Sequence, residues 1–284
     1  MIALHDLGLV HPASGAALMT HGDLAVAGGQ VVVVAAPPGA GSSLLAATVL
    51  GERKPSAGVV HLFERDPHRL RTGALRRLRG RIGVAPQVAP MVVGRTVLGQ
   101  VALALELAGV GRAARELACC AVLDRLGLLA ERDAMPETLT SAARGRLGLA
   151  RALVRRPEIV IADAPTTGQD DAGVALVAAA LAQAAADGAA VLVLARDARF
   201  DVEAVRLGMR RLVWTGGELV AHESLEVDIG SALDLILDAR SAPMRRPRPP
   251  VPRPEVPTAI PAVTSDGIPN VVAFPITARS LGAT

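Results

Sequence analysis

A glycine-rich loop between a buried strand and a helix constrains this chain more than any other feature of its sequence. Residues 36–44 read Ala-Pro-Pro-Gly-Ala-Gly-Ser-Ser-Leu, after four consecutive valines at 31–34 and before an apolar run that predicts a helix. A strand, a glycine-rich loop and a helix in that order are typical of a loop that holds phosphate groups. Such loops carry a lysine at the position of Ser42, and the single lysine of this chain is Lys54. The sequence therefore predicts a phosphate-binding scaffold without its usual positive charge.

The rest of the chain predicts a mixed α/β domain around this loop. Apolar residues stand side by side at 159–162 and 190–194, as they do in parallel strands that are covered on both faces. Alternating apolar and polar residues over the first 35 positions predict antiparallel strands, whereas residues 96–153 show apolar residues at helical spacing. We therefore expect a domain over residues 1–240 with an N-terminal antiparallel β portion, a helical subdomain at about 88–155 and a closing helix near Arg240.

The last 44 residues have a different composition and carry the excess positive charge. Residues 245–254 are arginine and proline with one valine, which predicts an extended polyproline II segment in a disordered Pro/Arg-rich tail at 241–284. That tail is either a solvated appendage or a docking segment for an SH3-like groove or an acidic surface. Six arginines and two acidic residues lie from Arg240 onward, so residues 1–239 carry a charge of −1 although the chain carries +3. We therefore expect no nucleic-acid partner.

Signals for export or membrane insertion are not visible in the sequence. The first residues lack a secretory signal pattern, and no uncharged apolar run reaches membrane-spanning length. The adjacent Cys119 and Cys120 cannot bridge each other without strain, so we interpret them as helix-packing residues in a reducing compartment. These observations predict a cytoplasmic location.

Four further motifs follow the loop along the chain. They are Val-Ala-Pro-Gln at 84–87, Leu-Thr-Ser-Ala-Ala-Arg at 139–144 running into Ala-Arg-Ala-Leu at 150–153, Ala-Asp-Ala-Pro-Thr at 162–166, and Leu-Ala-Arg-Asp at 194–197. Together with the loop they resemble the ATP-binding cassette (ABC) ATPases, the nucleotide-binding subunits of ABC transporters. The chain looks most like the short cassettes of export-type and cell-division-type systems. The resemblance covers residues 1–225 and implies an α/β P-loop NTPase fold of the ABC type.

The resemblance also implies a nucleotide site in which several family residues are retained. The expected nucleotide-binding positions are Gly39, Ala40, Gly41, Ser42, Ser43, Leu44, Gln87, Asp163 and Asp170. In the loop, backbone N–H groups at the start of the following helix hold the phosphates of ATP. Among the family's positions for Mg²⁺, the hydroxyl of Ser43, the amide of Gln87 and the carboxylate of Asp163 are present.

Four parts of the family's pattern are changed. Ser42 replaces the loop lysine, Ala164 replaces the glutamate that polarises the attacking water, and Arg196 replaces the switch histidine. The signature segment reads Thr140, Ser141 and Ala142, where glycines would let the backbone approach a partner's γ-phosphate. We assign no catalytic residue and predict a degenerate cassette with weak ATP binding, weak or absent Mg²⁺ binding and negligible hydrolysis. An arginine at 196 can still reach a phosphate, which leaves a rescue of nucleotide binding open.

The partners implied by the resemblance are an integral-membrane permease and a second cassette, in a homodimer or a heterodimer. The chain would then lie at the inner face of the cell membrane and dock through the groove between Gln87 and the helical subdomain. Two alternatives stay open from the residues alone. One is a working ATPase in which other residues compensate for the changed positions, and the other is a scaffold protein that binds no nucleotide.

Overall fold

A computed structural model describes residues 1–222 of the chain. The predicted helix near Arg240, the domain limit at 240 and the tail at 241–284 lie outside these residues. The described strands are β1 Ile2–Val10, β2 Ala17–Val26, β3 Val31–Ala35, β4 Ala57–Leu62, β5 Ile82–Ala85, β6 Ile159–Asp163, β7 Ala190–Ala195, β8 Arg210–Thr215 and β9 Glu218–Ala221. The described helices are α1 Ser42–Val49, α2 Thr72–Arg79, α3 Val97–Leu107, α4 Arg112–Arg125, α5 Ser141–Leu153, α6 Asp171–Ala186 and α7 Ala198–Arg206. A 3-10 turn covers Pro136–Thr138.

The strands form one mixed sheet in the order β4-β1-β2-β9-β8-β3-β7-β6-β5. Strands β8, β3, β7, β6 and β5 run parallel to one another, whereas β8 pairs antiparallel with β9, and β1 pairs antiparallel with both β2 and β4. The predicted α/β fold with an N-terminal antiparallel portion is therefore confirmed. Because β3, β6 and β7 are parallel neighbours, their carboxyl ends lie at one edge of the sheet, where ligands of such folds bind.

The central strands bury both of their faces, as their uninterrupted apolar runs predict. On one face, Val31, Val33, Val160 and Val193 pack with helices α3 to α7. On the other face, the alternate residues of the same strands pack with α1 and with the antiparallel strands. The loop after β3 and the turns after β6 and β7 are thus held by a rigid, fully covered sheet.

Helices α3, α4 and α5 lie between β5 and β6 in the chain and supply the predicted helical subdomain. Cys119 of α4 is fully buried in the apolar cluster of these helices, and burial raises the pKa of its thiol to about 11. Cys119 and Cys120 are both free thiols. Within residues 1–222, no helix is both long enough and apolar enough to cross a bilayer.

Candidate functional site

The glycine-rich loop connects β3 to α1 and has the backbone that a phosphate-binding loop needs. Gly39 and Gly41 adopt φ values of 84° and 96°, in the left-handed region that favours glycine. A Cβ on Gly41 would lie 2.7 Å from Leu18 Cδ1, so this position has no space for a side chain. The N–H of Ala40 donates to the Pro37 carbonyl at 3.1 Å and is therefore engaged within the turn. The first N–H groups of α1 have no intrahelical partner and carry the positive end of the helix dipole.

The guanidinium of Arg196 reaches across to the position that lacks the lysine. Arg196 follows β7 and is 154 residues from Ser42 in the chain, yet its Nη2 and Nε donate to Ser42 Oγ at 2.8 and 3.2 Å. Ser42 is 1% exposed, and the Arg196 side chain is 26% exposed. A positive charge therefore lies at the start of α1 after all, although it comes from another strand.

The same guanidinium lies among the residues that were expected to hold the metal. Its Nη2 lies 3.5 Å from Ser43 Oγ and 4.0 Å from Asp163 Oδ1, and its Nη1 lies 3.2 Å from Gln87 Oε1. Ser43 Oγ also donates to Asp163 Oδ2 at 2.5 Å. The structure thus brings Ser42, Ser43, Gln87 and Asp163 together, with Arg196 between them.

The carboxylate of Asp163 at the end of β6 is buried and only partly satisfied. The residue is 5% exposed, and its Oδ1 has no hydrogen-bond partner in the part of the chain that the structure describes. A buried carboxylate oxygen of this kind needs a cation or a donor. The 4.0 Å separation from Arg196 Nη2 is too long for a hydrogen bond but places a cation against it.

Ala164 places no carboxylate where the family has its glutamate. It is 3% exposed, has a φ of 48° and lines a cavity of about 410 Å³ together with Gln87, Ser141, Arg144 and Gly168. Its N–H donates to the Leu194 carbonyl at 2.8 Å, so the turn after β6 is tied to β7.

The signature segment and the turn before α6 have well-defined local roles. The hydroxyl of Thr140 caps α5 by accepting from the Ala143 N–H at 3.1 Å, and Ser141 and Ala142 form the first turn of that helix. Asp170 caps α6 by accepting from the Gly173 N–H at 2.8 Å. Leu44 is half-buried, and its side chain packs against the core around α1. Only its backbone N–H is therefore expected to contact a phosphate in the loop.

Sequence reasoning missed Gln169 as the link between these two segments. Its amide is 4% exposed, donates to the Ala142 carbonyl at 2.8 Å and accepts from Arg146 Nη1 at 2.7 Å. Gln169 thereby holds the turn before α6 against the start of α5. A glutamine beside Gly168 and Asp170 resembles any surface turn in sequence, so burial was the missing information.

The arrangement fits the phosphates of a nucleotide. Left-handed glycines, a helix N-terminus and a guanidinium are three elements that bind phosphate. A magnesium ion fits less well, because the oxygens of Ser43, Gln87 and Asp163 already surround a cation. In this arrangement the chain's residues are compatible with a phosphate group and not with a metal ion beside it.

Comparison with known proteins identifies the family. The sequence model of the family described as ABC transporter matches residues 19–167. The methionine import ATP-binding protein MetN of Burkholderia thailandensis is 38% identical over 148 residues, which are 52% of this chain and 43% of that protein. MetN 1 of Burkholderia orbicola is 36% identical over 172 residues, 60% of this chain and 50% of that protein. The chain thus spans about half the length of these curated relatives, whose names describe import and do not support the expected likeness to export-type cassettes.

Solved structures support the same fold. MJ0796, described as a bacterial ABC transporter cassette, aligns with a TM-score of 0.69 and 24% identity over 80% of this chain and 99% of its own. The cbiO1 structure from Clostridium perfringens aligns with a TM-score of 0.66 and 20% identity over 84% of this chain and 94% of its own. At these identities the likeness shows the fold alone. Since the family's sequence model covers more than half of the chain, this protein belongs to the ABC transporter family and carries its ATP-binding cassette domain.

Proposed function

We propose that the chain is a nucleotide-binding subunit of an ABC transporter that binds ATP or ADP weakly and hydrolyses ATP negligibly. It acts as a structural or regulatory cassette beside a membrane permease, in a homodimer or paired with a competent cassette. The observation that supports this proposal is the pair of contacts from Arg196 to Ser42 Oγ at 2.8 Å and to Gln87 Oε1 at 3.2 Å, which places a positive charge beside the loop while Ala164 supplies no carboxylate.

The predicted loss of hydrolysis follows from the energy that the changed residues no longer supply. A thousandfold decrease in rate requires only about 4 kcal/mol of lost transition-state stabilisation. The glutamate that orients the attacking water and the lysine that contacts the transferred phosphate each act in the transition state. Arg196 supplies a positive charge near the position of the missing lysine. It cannot relay a proton as the family's neutral switch histidine can, because an arginine stays protonated.

Direct titration of the full chain tests this proposal. We expect ATP and ADP to raise the thermal unfolding temperature with dissociation constants on the order of a millimolar, and phosphate release to stay at the level of a protein-free blank. Turnover near the ordinary enzymatic range of about 1–10 per second would instead establish the working-ATPase alternative. Absence of any nucleotide response would favour the scaffold alternative.

The permease is expected to dock in the groove between Gln87 and the helical subdomain. A cavity of about 610 Å³ lies along β5, residues 86–90 and helices α3 and α5, and its lining combines the apolar Leu103, Ala104 and Leu107 with Arg81, Arg151, Arg155, Arg156 and Glu158. Leu107 is 82% exposed and adds an apolar side chain to the rim of this groove. The names of the matched relatives favour an import system as the source of that permease.

Replacing Leu107 with glutamate is expected to lower the fraction of the chain bound to membranes of its source cells by about tenfold or more. A charged carboxylate in place of this leucine must lose water when the contact forms, and that desolvation costs enough free energy for such a loss. Leu117→Glu on α4 is the matched control, because Leu117 is 75% exposed and lies outside this groove. The measurement is co-sedimentation with membranes, and equal sedimentation of both variants would show that the groove is not the docking surface.

A further inference from the structure

Arg196 stands where two separate cations of the family's site would act. One is the ammonium of the loop lysine, replaced here by Ser42 with two hydrogen bonds from the guanidinium at 2.8 and 3.2 Å. The other is the metal, whose expected oxygens on Ser43, Gln87 and Asp163 lie 3.2–4.0 Å from the same guanidinium. One side chain therefore contacts both sets of groups.

The charges around the site also fit a single organic cation. Asp163 is buried to 95% and has one oxygen without a hydrogen bond, so it needs a positive neighbour. Arg196 supplies that neighbour at 4.0 Å, while its other N–H groups donate to Ser42 and Gln87. A divalent metal placed among these oxygens would lie against the guanidinium, and like charges at such distances repel. Mg²⁺ is also reluctant to lose its water shell and demands near-octahedral oxygen ligands.

A guanidinium is well suited to bind phosphate, the ligand expected at the glycine-rich loop. Arginine is always protonated, presents five donors in a planar fork and binds phosphate oxygens in pairs. The Arg196 side chain is 26% exposed, and its three nitrogens donate to the Ser42, Ser43 and Gln87 oxygens, which places the guanidinium at the start of α1. Ser42, which accepts from this guanidinium, is the first residue of α1 and follows the left-handed Gly39 and Gly41 of the loop.

We propose that Arg196 takes the place of both the loop lysine and the magnesium ion, so that this chain binds the polyphosphate of ATP or ADP without a divalent metal. The inference rests on the proposed nucleotide-binding function and specifies how that site works. If Arg196 has this role, the ligand is the nucleotide without a bound metal. The dissociation constant for ATP or ADP should then not depend on the concentration of free Mg²⁺.

The test compares nucleotide binding by the full chain in excess EDTA with binding in excess magnesium. ATP and ADP are titrated by calorimetry and by thermal unfolding in both buffers. We expect the dissociation constant to be unchanged when the metal is removed. Binding that is more than about tenfold tighter with magnesium would overturn this inference and leave the proposed function intact. No response in either buffer would overturn both.

Variants of Arg196 provide a second readout. Arg196→Ala is expected to weaken metal-free binding by about tenfold or more, because charge-assisted hydrogen bonds to the phosphates are lost. Arg196→Lys keeps the charge without the fork and should bind with intermediate affinity. Arg206→Ala removes an arginine whose side chain is 71% exposed and pairs with Glu203 at 3.6 Å, with no hydrogen bond or ion pair to Ser42, Ser43, Gln87 or Asp163 within residues 1–222, and this variant should bind as the native chain does. Unchanged metal-free affinity in a folded Arg196→Ala variant would contradict the assignment.

Discussion

A chain that carries Ser42→Lys, Ala164→Glu, Arg196→His, Ser141→Gly and Ala142→Gly together is expected to hydrolyse ATP at least about a thousandfold faster than the native chain. The five changes restore the loop lysine, the water-polarising carboxylate, the switch histidine and the glycines of the signature segment. Recovering about 4 kcal/mol of transition-state stabilisation is sufficient for this increase. The measurement is phosphate release at saturating ATP, and the restored activity should require magnesium although binding by the native chain does not.

The structure explains why fewer changes would not suffice. A lysine at 42 beside the native Arg196 would bring two cations together, since the guanidinium lies 2.8 Å from the Ser42 hydroxyl. The arginine must therefore leave when the lysine returns. Ala164 borders a cavity of about 410 Å³, which is the space that a glutamate at this position would enter. Glycines at the start of α5 cost some helix stability, about 1 kcal/mol each, which an intact fold can absorb.

The matched control is the same variant with Ala164 kept as alanine. It should bind Mg-ATP as tightly as the fully restored chain and release no phosphate above the blank, because only the carboxylate that positions the water is missing. If the fully restored chain binds Mg-ATP but turns over no faster than this control, the changed residues are not what disables the native chain.

Phe200→Ala is expected to lower the free energy of unfolding by about 3–5 kcal/mol. Phe200 on α7 is 0% exposed and packs in the cluster that joins α7 to β3, β6 and β7. The other two large aromatic residues within 1–222, Trp214 and Phe63, pack with the cluster on the opposite face of the sheet and do not border the space that the ring leaves. Since domains of this kind are stable by about 5–15 kcal/mol, the loss is a large part of the total.

Urea denaturation followed by circular dichroism measures this effect, and Phe63→Ala is its control. Phe63 is half-exposed, and its ring carries the Arg81 guanidinium at 3.8 Å from its centroid. Losing that contact costs about 0.5–1 kcal/mol, so the two identical substitutions should differ by at least about 2 kcal/mol. Equal destabilisation would show that Phe200 does not anchor α7 as the packing indicates.

Much of the fold followed from local patterns. The side-by-side apolar runs at β3, β6 and β7 require burial on both faces, and a parallel sheet covered by helices is the structure that provides it. Helix α6 covers 171–186 because local residues mark both ends: Asp170 caps its start and Gly188 follows shortly after its end. The glycine-rich loop was readable because only glycine tolerates the left-handed backbone at 39 and 41.

Residues that act through long-range contacts were harder to predict. The buried amide of Gln169 joins Ala142 and Arg146, which lie 27 and 23 residues away, and nothing in its local sequence distinguishes it from a surface residue. The groove that exposes Leu107 likewise depends on how α3 and α5 pack beside β5. Both features arise from the packing of distant segments.

Local patterns established the class of fold, the phosphate-binding loop and the residues that are missing from it, because each depends on backbone preferences and periodicity over a few neighbouring positions. The family resemblance named Arg196 as a residue that can reach a phosphate, but its contact with Ser42 became visible only in the folded chain. Ser42 and Arg196 are 154 residues apart and meet because β3 and β7 are adjacent parallel strands whose carboxyl ends share one edge of the sheet. Which side chain reaches across this edge depends on the order of the strands and on packing, and a local sequence pattern contains neither.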